Sequence, residues 1–168
     1  MKKLQNTWEK DFNYTECMKN RNKIISEIIH KNNFKSVIDL GCGVQLLKQF
    51  LHTNIEYIAV DMYAHLESTH LCDFNGGQFF KANAECCVAS GLFEYIYDIE
   101  KLLKNISQCC DNIICSYCYE ERYPVRQKIW VNCHTKKEFI SFFSNILFDI
   151  DDIIERDDVD TIFIFKRK

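Results

Sequence analysis

Val37-Ile38-Asp39-Leu40-Gly41-Cys42-Gly43 is a short, β-branched apolar run that ends in a glycine-bracketed turn. A strand that stops at glycines presents backbone amides where a ligand can approach without meeting a Cβ. Downstream, Val44–His52 carries apolar residues at helical spacing, and Ile55–Asp61 is a second strand-like run that ends in an acid. A carboxylate at the end of the second strand can accept both hydrogen bonds of a ribose diol. The G-x-G alone is common. Its setting, with a strand before it, a helical pattern after it and Asp61 at the next strand end, gives it meaning.

Working outward, Trp8–Asn33 reads as an amphipathic helix, with Met18, Ile24, Ile25, Ile28 and Ile29 on one stripe. His70–Phe74 reads as a third strand, closed by the turn Asn75-Gly76-Gly77, and Cys86–Ser90 as a fourth, ending at Gly91. Asp98 is a suitable N-cap for a helix over Ile99–Ser107, and Ile113–Tyr119 makes a fifth strand. A loop with the only proline, Pro124, precedes a helix over Lys136–Ser144, where Thr135 and Glu138 form a capping box. Phe148–Ile154 and Thr161–Phe165 close the chain, joined across Asp157-Asp158 by too few residues for a crossover helix. They therefore pair antiparallel.

The pattern predicts an α/β fold: a Rossmann-like three-layer sandwich on a mostly parallel seven-stranded sheet with a C-terminal antiparallel hairpin. One domain is expected over 1–168, with 1–34 as a helical N-terminal lid and 35–168 as the cofactor-binding sheet.

The balance of 24 acidic against 21 basic residues argues against a broad nucleic-acid footprint. No apolar run reaches membrane-spanning length and no apolar stretch follows Met1-Lys2-Lys3, so a cytoplasmic location is expected. The 10 cysteines could suggest metal or disulfides. However, Cys86-Cys87 and Cys109-Cys110 are adjacent pairs, and Cys115 and Cys118 sit in a strand-like run where residues three apart face opposite ways. They are read as reduced core residues, and no metal site is expected.

Ile38-Asp39-Leu40-Gly41-Cys42-Gly43 followed by Ala59-Val60-Asp61-Met62 resembles the class I S-adenosylmethionine-dependent methyltransferase family, over roughly Ser36 to the C-terminus. Leu71-Cys72-Asp73-Phe74 resembles that family's third motif, and the stretch Val88–Asp98 (VASGLFEYIYD) its fourth, the strand exit that borders methyl donor and acceptor. The resemblance implies S-adenosyl-L-methionine as cofactor. Asp39 would orient its amino-acid end through the turn of Gly41, Cys42 and Gly43. Asp61 would hold the ribose, Asp73 the adenine amino group, and Met62 and Phe74 would pack on adenine, with Ser90 bordering the site. Two departures stand out: Gln45 replaces a frequent third glycine, and Ala84-Glu85 opens the fourth strand.

Methyl transfer needs alignment more than acid–base power, but a hydroxyl acceptor benefits from a nearby base. His134, just before the capped helix, is the first candidate and Glu94 the second, with His65 weaker. The loop from Tyr117 to Trp130 should overhang the acceptor, and Trp8, Phe12 and Tyr14 could close over it. Trp130-Val131-Asn132 with the following helix resembles family members that modify glycans. The expectation is a methyltransferase acting on a small polar metabolite, such as a sugar or glycan hydroxyl, with no nucleic-acid or membrane partner and a homodimer left open. The alternative is a drifted cofactor-binding scaffold or partner subunit without transfer activity of its own. A nucleic-acid or protein methyltransferase is disfavoured by the acidic balance.

Overall fold

The computed structural model describes residues 15–156 and 160–168. Thr15 has extended backbone and its hydroxyl accepts from the Met18 amide, so helix α1 spans Glu16–Lys31. The predicted start at Trp8 is thereby corrected, because a capping threonine in the β region cannot lie inside a helix. Trp8, Phe12 and Tyr14 lie outside the described residues.

Seven strands follow: β1 (Ser36–Leu40), β2 (Glu56–Asp61), β3 (Thr69–Leu71), β4 (Cys86–Ala89), β5 (Asn112–Tyr117), β6 (Phe148–Glu155) and β7 (Thr161–Arg167). Helix α2 (Ile99–Ile106) connects β4 to β5, and α3 (Lys136–Ser144) precedes β6. The sheet order is β3-β2-β1-β4-β5-β7-β6. β1 to β5 run parallel, and β7 is antiparallel to both β5 and β6. The predicted mixed sheet and terminal hairpin are both present.

Alternation along the strands sorts the core into two layers. Val37, Cys86, Val88, Ile114, Ile162 and Ile164 meet Ile25, Ile28 and Ile29 of α1. Their strand neighbours Ile38, Cys87, Ala89, Ile113, Cys115, Phe163 and Phe165 pack against α2 and the Phe139 and Phe143 rings of α3. Eight of the ten cysteines are buried within this architecture, Cys17 is half-buried and Cys133 is exposed; all are free thiols.

Three further predicted elements change, the fifth strand ending at Tyr117 rather than Tyr119. Val44–His52 is not an α-helix but a turn leading into a single 3-10 turn, Leu47–Phe50. Gly43 and Gln45 both have positive φ (51° and 55°), and Leu46 supplies no side-chain cap. The third strand ends at Leu71 rather than Phe74, because Asp73 Oδ1 accepts from the amides of Asn75 and Gly76 and starts a turn there.

Candidate active site

The carboxyl ends of β1, β2, β4 and β5 open onto one cavity of about 580 Å³, roofed by the first turns of α1 and by the loop leading to Trp130. That volume lies within the usual range for a small-molecule site.

At one end stand Gly41, Gly43, Asp61, Met62, Asp73 and Phe74. Asp61 is locked in place: Oδ2 accepts from the Gly43 amide at 2.8 Å and Oδ1 from the Tyr63 amide at 3.1 Å. Each carboxylate oxygen has a second lone pair, so this clamp still leaves acceptor capacity. Gly41 has φ +70°, and a Cβ there would lie 3.0 Å from Leu92 Cδ1, so a side chain would strain the backbone and press on Leu92 at the β4 exit. Asp73 organises its turn and also faces the cavity. Asn75 ties this end to the next: its Nδ2 donates to the Tyr95 carbonyl at 2.8 Å, and its Oδ1 accepts from the Tyr97 amide at 3.0 Å.

At the other end, Ser90, Gly91 and the 3-10 turn Phe93–Tyr95 meet α1, Cys118, Asp160 and Trp130. Glu94 is only 3% exposed. Its Oε1 accepts from the Cys118 amide at 3.0 Å, while Oε2 has no hydrogen-bond partner among the described residues. Burial raises its pKa, an effect that Arg21 partly offsets. Asn132 fixes this turn by donating to the carbonyls of Phe93 and Ile96 at 2.7 and 2.9 Å, and the Val131 amide donates to the Glu94 carbonyl at 2.9 Å. Arg126 stacks on the Trp130 ring at 4.3 Å and donates to the Asn132 carbonyl, bracing the roof.

Arg21 reaches across from α1. It pairs with buried Asp160, which also pairs with Arg156, and its Nη2 donates to the Ser90 carbonyl at 3.3 Å. A Cβ on Gly91 would come within 2.8 Å of that Nη2. Arg21 Nε and Ser90 Oγ are buried without a hydrogen-bond partner among the described residues.

The structure thus brings together Gly41, Gly43, Asp61, Met62, Asp73, Phe74, Ser90 and Glu94 of the sequence-predicted residues, and His65 as well. Three others are elsewhere. Asp39 points to the α1 face, where its Oδ2 accepts from the Tyr57 hydroxyl at 2.5 Å, and burial pushes its pKa up to about 7. Cys42 is buried beside Thr69, and burial pushes its thiol pKa well up. His134, the first candidate base, is not among the residues lining the cavity. Its amide donates to the Tyr117 hydroxyl at 3.0 Å and its ring packs edge-on against Phe142 at 5.0 Å. Burial there lowers its pKa. The capped start of α3 seats His134 between Phe142 of that helix and Tyr117 at the end of β5.

Sequence reading missed Arg21, Asn75, Asn132 and Asp160. Arg21 sat among the charged positions of an amphipathic helix, and only the tertiary fold reveals that it is buried. For Asn75 the turn residues Gly76 and Gly77 were the available signal, and for Asn132 the Trp130-Val131-Asn132 likeness.

Among solved structures, the chain is similar to one from Nostoc punctiforme PCC 73102, with a TM-score of 0.74 and 13% identity over 89% of this chain and 56% of that one. It is similar to an S-adenosylmethionine-dependent methyltransferase from Clostridium acetobutylicum ATCC 824, with a TM-score of 0.72 and 13% identity over 99% and 98%. A third likeness is to magnesium protoporphyrin IX methyltransferase from Synechocystis PCC 6803 with bound SAH, with a TM-score of 0.67 and 8% identity over 99% and 94%. The chain spans little more than half of the Nostoc structure and nearly all of the other two. No protein-family model matches the sequence, and no curated protein matches it. Strand order, antiparallel hairpin and structural likeness agree: the fold is that of the S-adenosylmethionine-dependent methyltransferases.

Proposed function

We propose that the chain binds S-adenosylmethionine at the Gly41–Asp61–Asp73 end of the cavity and transfers its methyl group to a hydroxyl of a small molecule at the Glu94 end. One observation carries this reading: a single cavity joins a glycine turn and a clamped strand-end acid to a strand-4 exit where the lining residues Ser90 and Glu94 carry buried polar atoms without a partner among the described residues. When bound, the cofactor supplies an electrophilic methyl group on a sulfonium.

The residues present suit that cofactor. Asp61, held by two backbone amides, offers its remaining lone pairs to the ribose diol. Gly41 and Gly43 keep side chains out of the approach, and Arg21 Nε–H is available to a carboxylate. The described cavity wall carries Asp61, Asp73, Glu94 and Asp160 against Arg21 and His65. That acidic excess favours a cationic centre in the cavity.

Isothermal titration with S-adenosylmethionine and S-adenosylhomocysteine tests the reading. Both should bind with Kd below about 1 mM, and Asp61→Ala should weaken binding at least about tenfold. No binding, or an unchanged Asp61→Ala variant, would overturn it.

One observation favours a second reading, a partner subunit without transfer activity. The glycine turn leads into a 3-10 turn, so the amide cluster and dipole of an α-helix N-terminus are missing beside it. A stable heteromeric complex with cofactor bound and no methyl transfer would support that reading.

A further inference from the structure

We infer that Glu94 is the group that takes the proton from the acceptor hydroxyl, and that this hydroxyl is carried on an uncharged, largely apolar ring. This rests on the methyl-transfer reading of the same cavity and narrows the polar-metabolite expectation.

Glu94 Oε2 and Ser90 Oγ are buried polar atoms without a partner among the described residues, and both belong to residues lining the cavity. A buried polar group left unpaired costs about 1–3 kcal/mol. A ligand hydroxyl arriving here supplies the missing partner. Oε1 is occupied by the Cys118 amide, which orients the carboxylate and leaves Oε2 to act.

Charge sets the class of the rest of the acceptor. Four carboxylates line the cavity among the described residues, and Arg21 is already paired with Asp160. Its Nε–H, without a partner among the described residues, suits the single carboxylate of the cofactor. An anionic acceptor would therefore face Glu94 and Asp160 with, among the described lining residues, only His65 and the already paired Arg21 as basic groups. The walls at this end include Met18, Val125, Ile129 and Trp130, the Trp130 ring braced by Arg126, with Tyr123 and Gln127 as polar neighbours. A polyol would leave most of its hydroxyls against these apolar surfaces, whereas a flat ring with one hydroxyl would not.

The step balances. The acceptor oxygen forms its bond to the methyl carbon as the carbon–sulfur bond breaks with its electron pair on sulfur, and the O–H proton passes to Glu94 Oε2.

Calorimetric titration of the protein saturated with S-adenosylhomocysteine, using 2-naphthol, 2-naphthoate and methyl β-glucoside as probes, tests the class. The expected result is 2-naphthol binding at least about tenfold more tightly than either of the others. Glu94→Gln should retain S-adenosylhomocysteine and 2-naphthol affinity within about twofold. It should also lower methylation of 2-naphthol by about 100-fold or more. If S-adenosylhomocysteine binds but 2-naphthol shows no preference, is not methylated, or is methylated equally by Glu94→Gln, the inference fails and the function reading stands. If S-adenosylhomocysteine does not bind, both fail.

Discussion

Gln45 occupies the position where related turns often place a third glycine, and it keeps a glycine's backbone, with φ 55°. Its side chain is 2% exposed and its Nε2 donates to Ser68 Oγ at 2.9 Å and Thr69 Oγ1 at 3.1 Å, fastening the turn to the start of β3. Left-handed backbone costs a non-glycine residue about 1 kcal/mol, and the two hydrogen bonds offset it. Gln45→Ala keeps the strain and loses the bonds, so urea unfolding should find it less stable than Gln45→Gly by about 1 kcal/mol. Asp39 makes a different prediction. Its folded pKa of about 7 lies above the ordinary 3.8, so folding takes up a proton between those values. Its contribution is therefore full below pH 4 and declines as the pH rises to about 7. Asp39→Asn, which can still accept from Tyr57, should raise Tm more at pH 8 than at pH 4, measured by thermal melts across that range. Residues of the glycine turn and the β2 end were legible in the sequence because backbone geometry fixes them locally. Arg21 and Asp160, far apart in the chain, were not, since only the assembled fold puts them together.

At the scale of elements, α1 is fastened to the approach to β7 by one acid. Asp160 pairs with Arg21 on α1 and with Arg156, whose Nη2 donates to the Cys17 carbonyl at 2.8 Å. Removing one partner of a buried pair strands the others without compensation. Asp160→Asn should therefore destabilise the protein by about 3–5 kcal/mol in chemical denaturation. It should also speed hydrogen exchange in the first turns of α1; an unchanged exchange rate there would argue against the latch. The sequence allowed α3 to be placed to the residue, since its capping box is local: Thr135 Oγ1 accepts from the Glu138 amide and Glu138 caps in return. It failed at Val44–His52, where helical spacing was present but the positive φ of Gly43 and Gln45 diverted the backbone. Periodicity reports which residues are buried; it does not report which hydrogen bonds the backbone closes.

Over the whole molecule, the mostly parallel sheet with its closing hairpin followed from the alternation of strands and helices, and the cysteine inventory from its apolar neighbours. Cysteines fill both layers, Cys86 facing α1 and Cys87 the opposite helices. Thiol titration of the native protein should find Cys133 reacting first and Cys17 more slowly, with the eight buried thiols appearing only after unfolding. The cavity was harder to read, because its two ends come from segments of the chain that only the sheet order makes adjacent. On the proposed function, one cavity holds the methyl donor against Asp61 and presents its reacting end towards Glu94. A crystal structure of the complex with S-adenosylhomocysteine tests this most directly. Ribose hydroxyls are expected on the Asp61 carboxylate, adenine beside Met62 and Phe74, and the sulfur facing the Ser90–Glu94 end. Ligand bound outside this cavity, or lying in it with the sulfur turned away from Glu94, would contradict it.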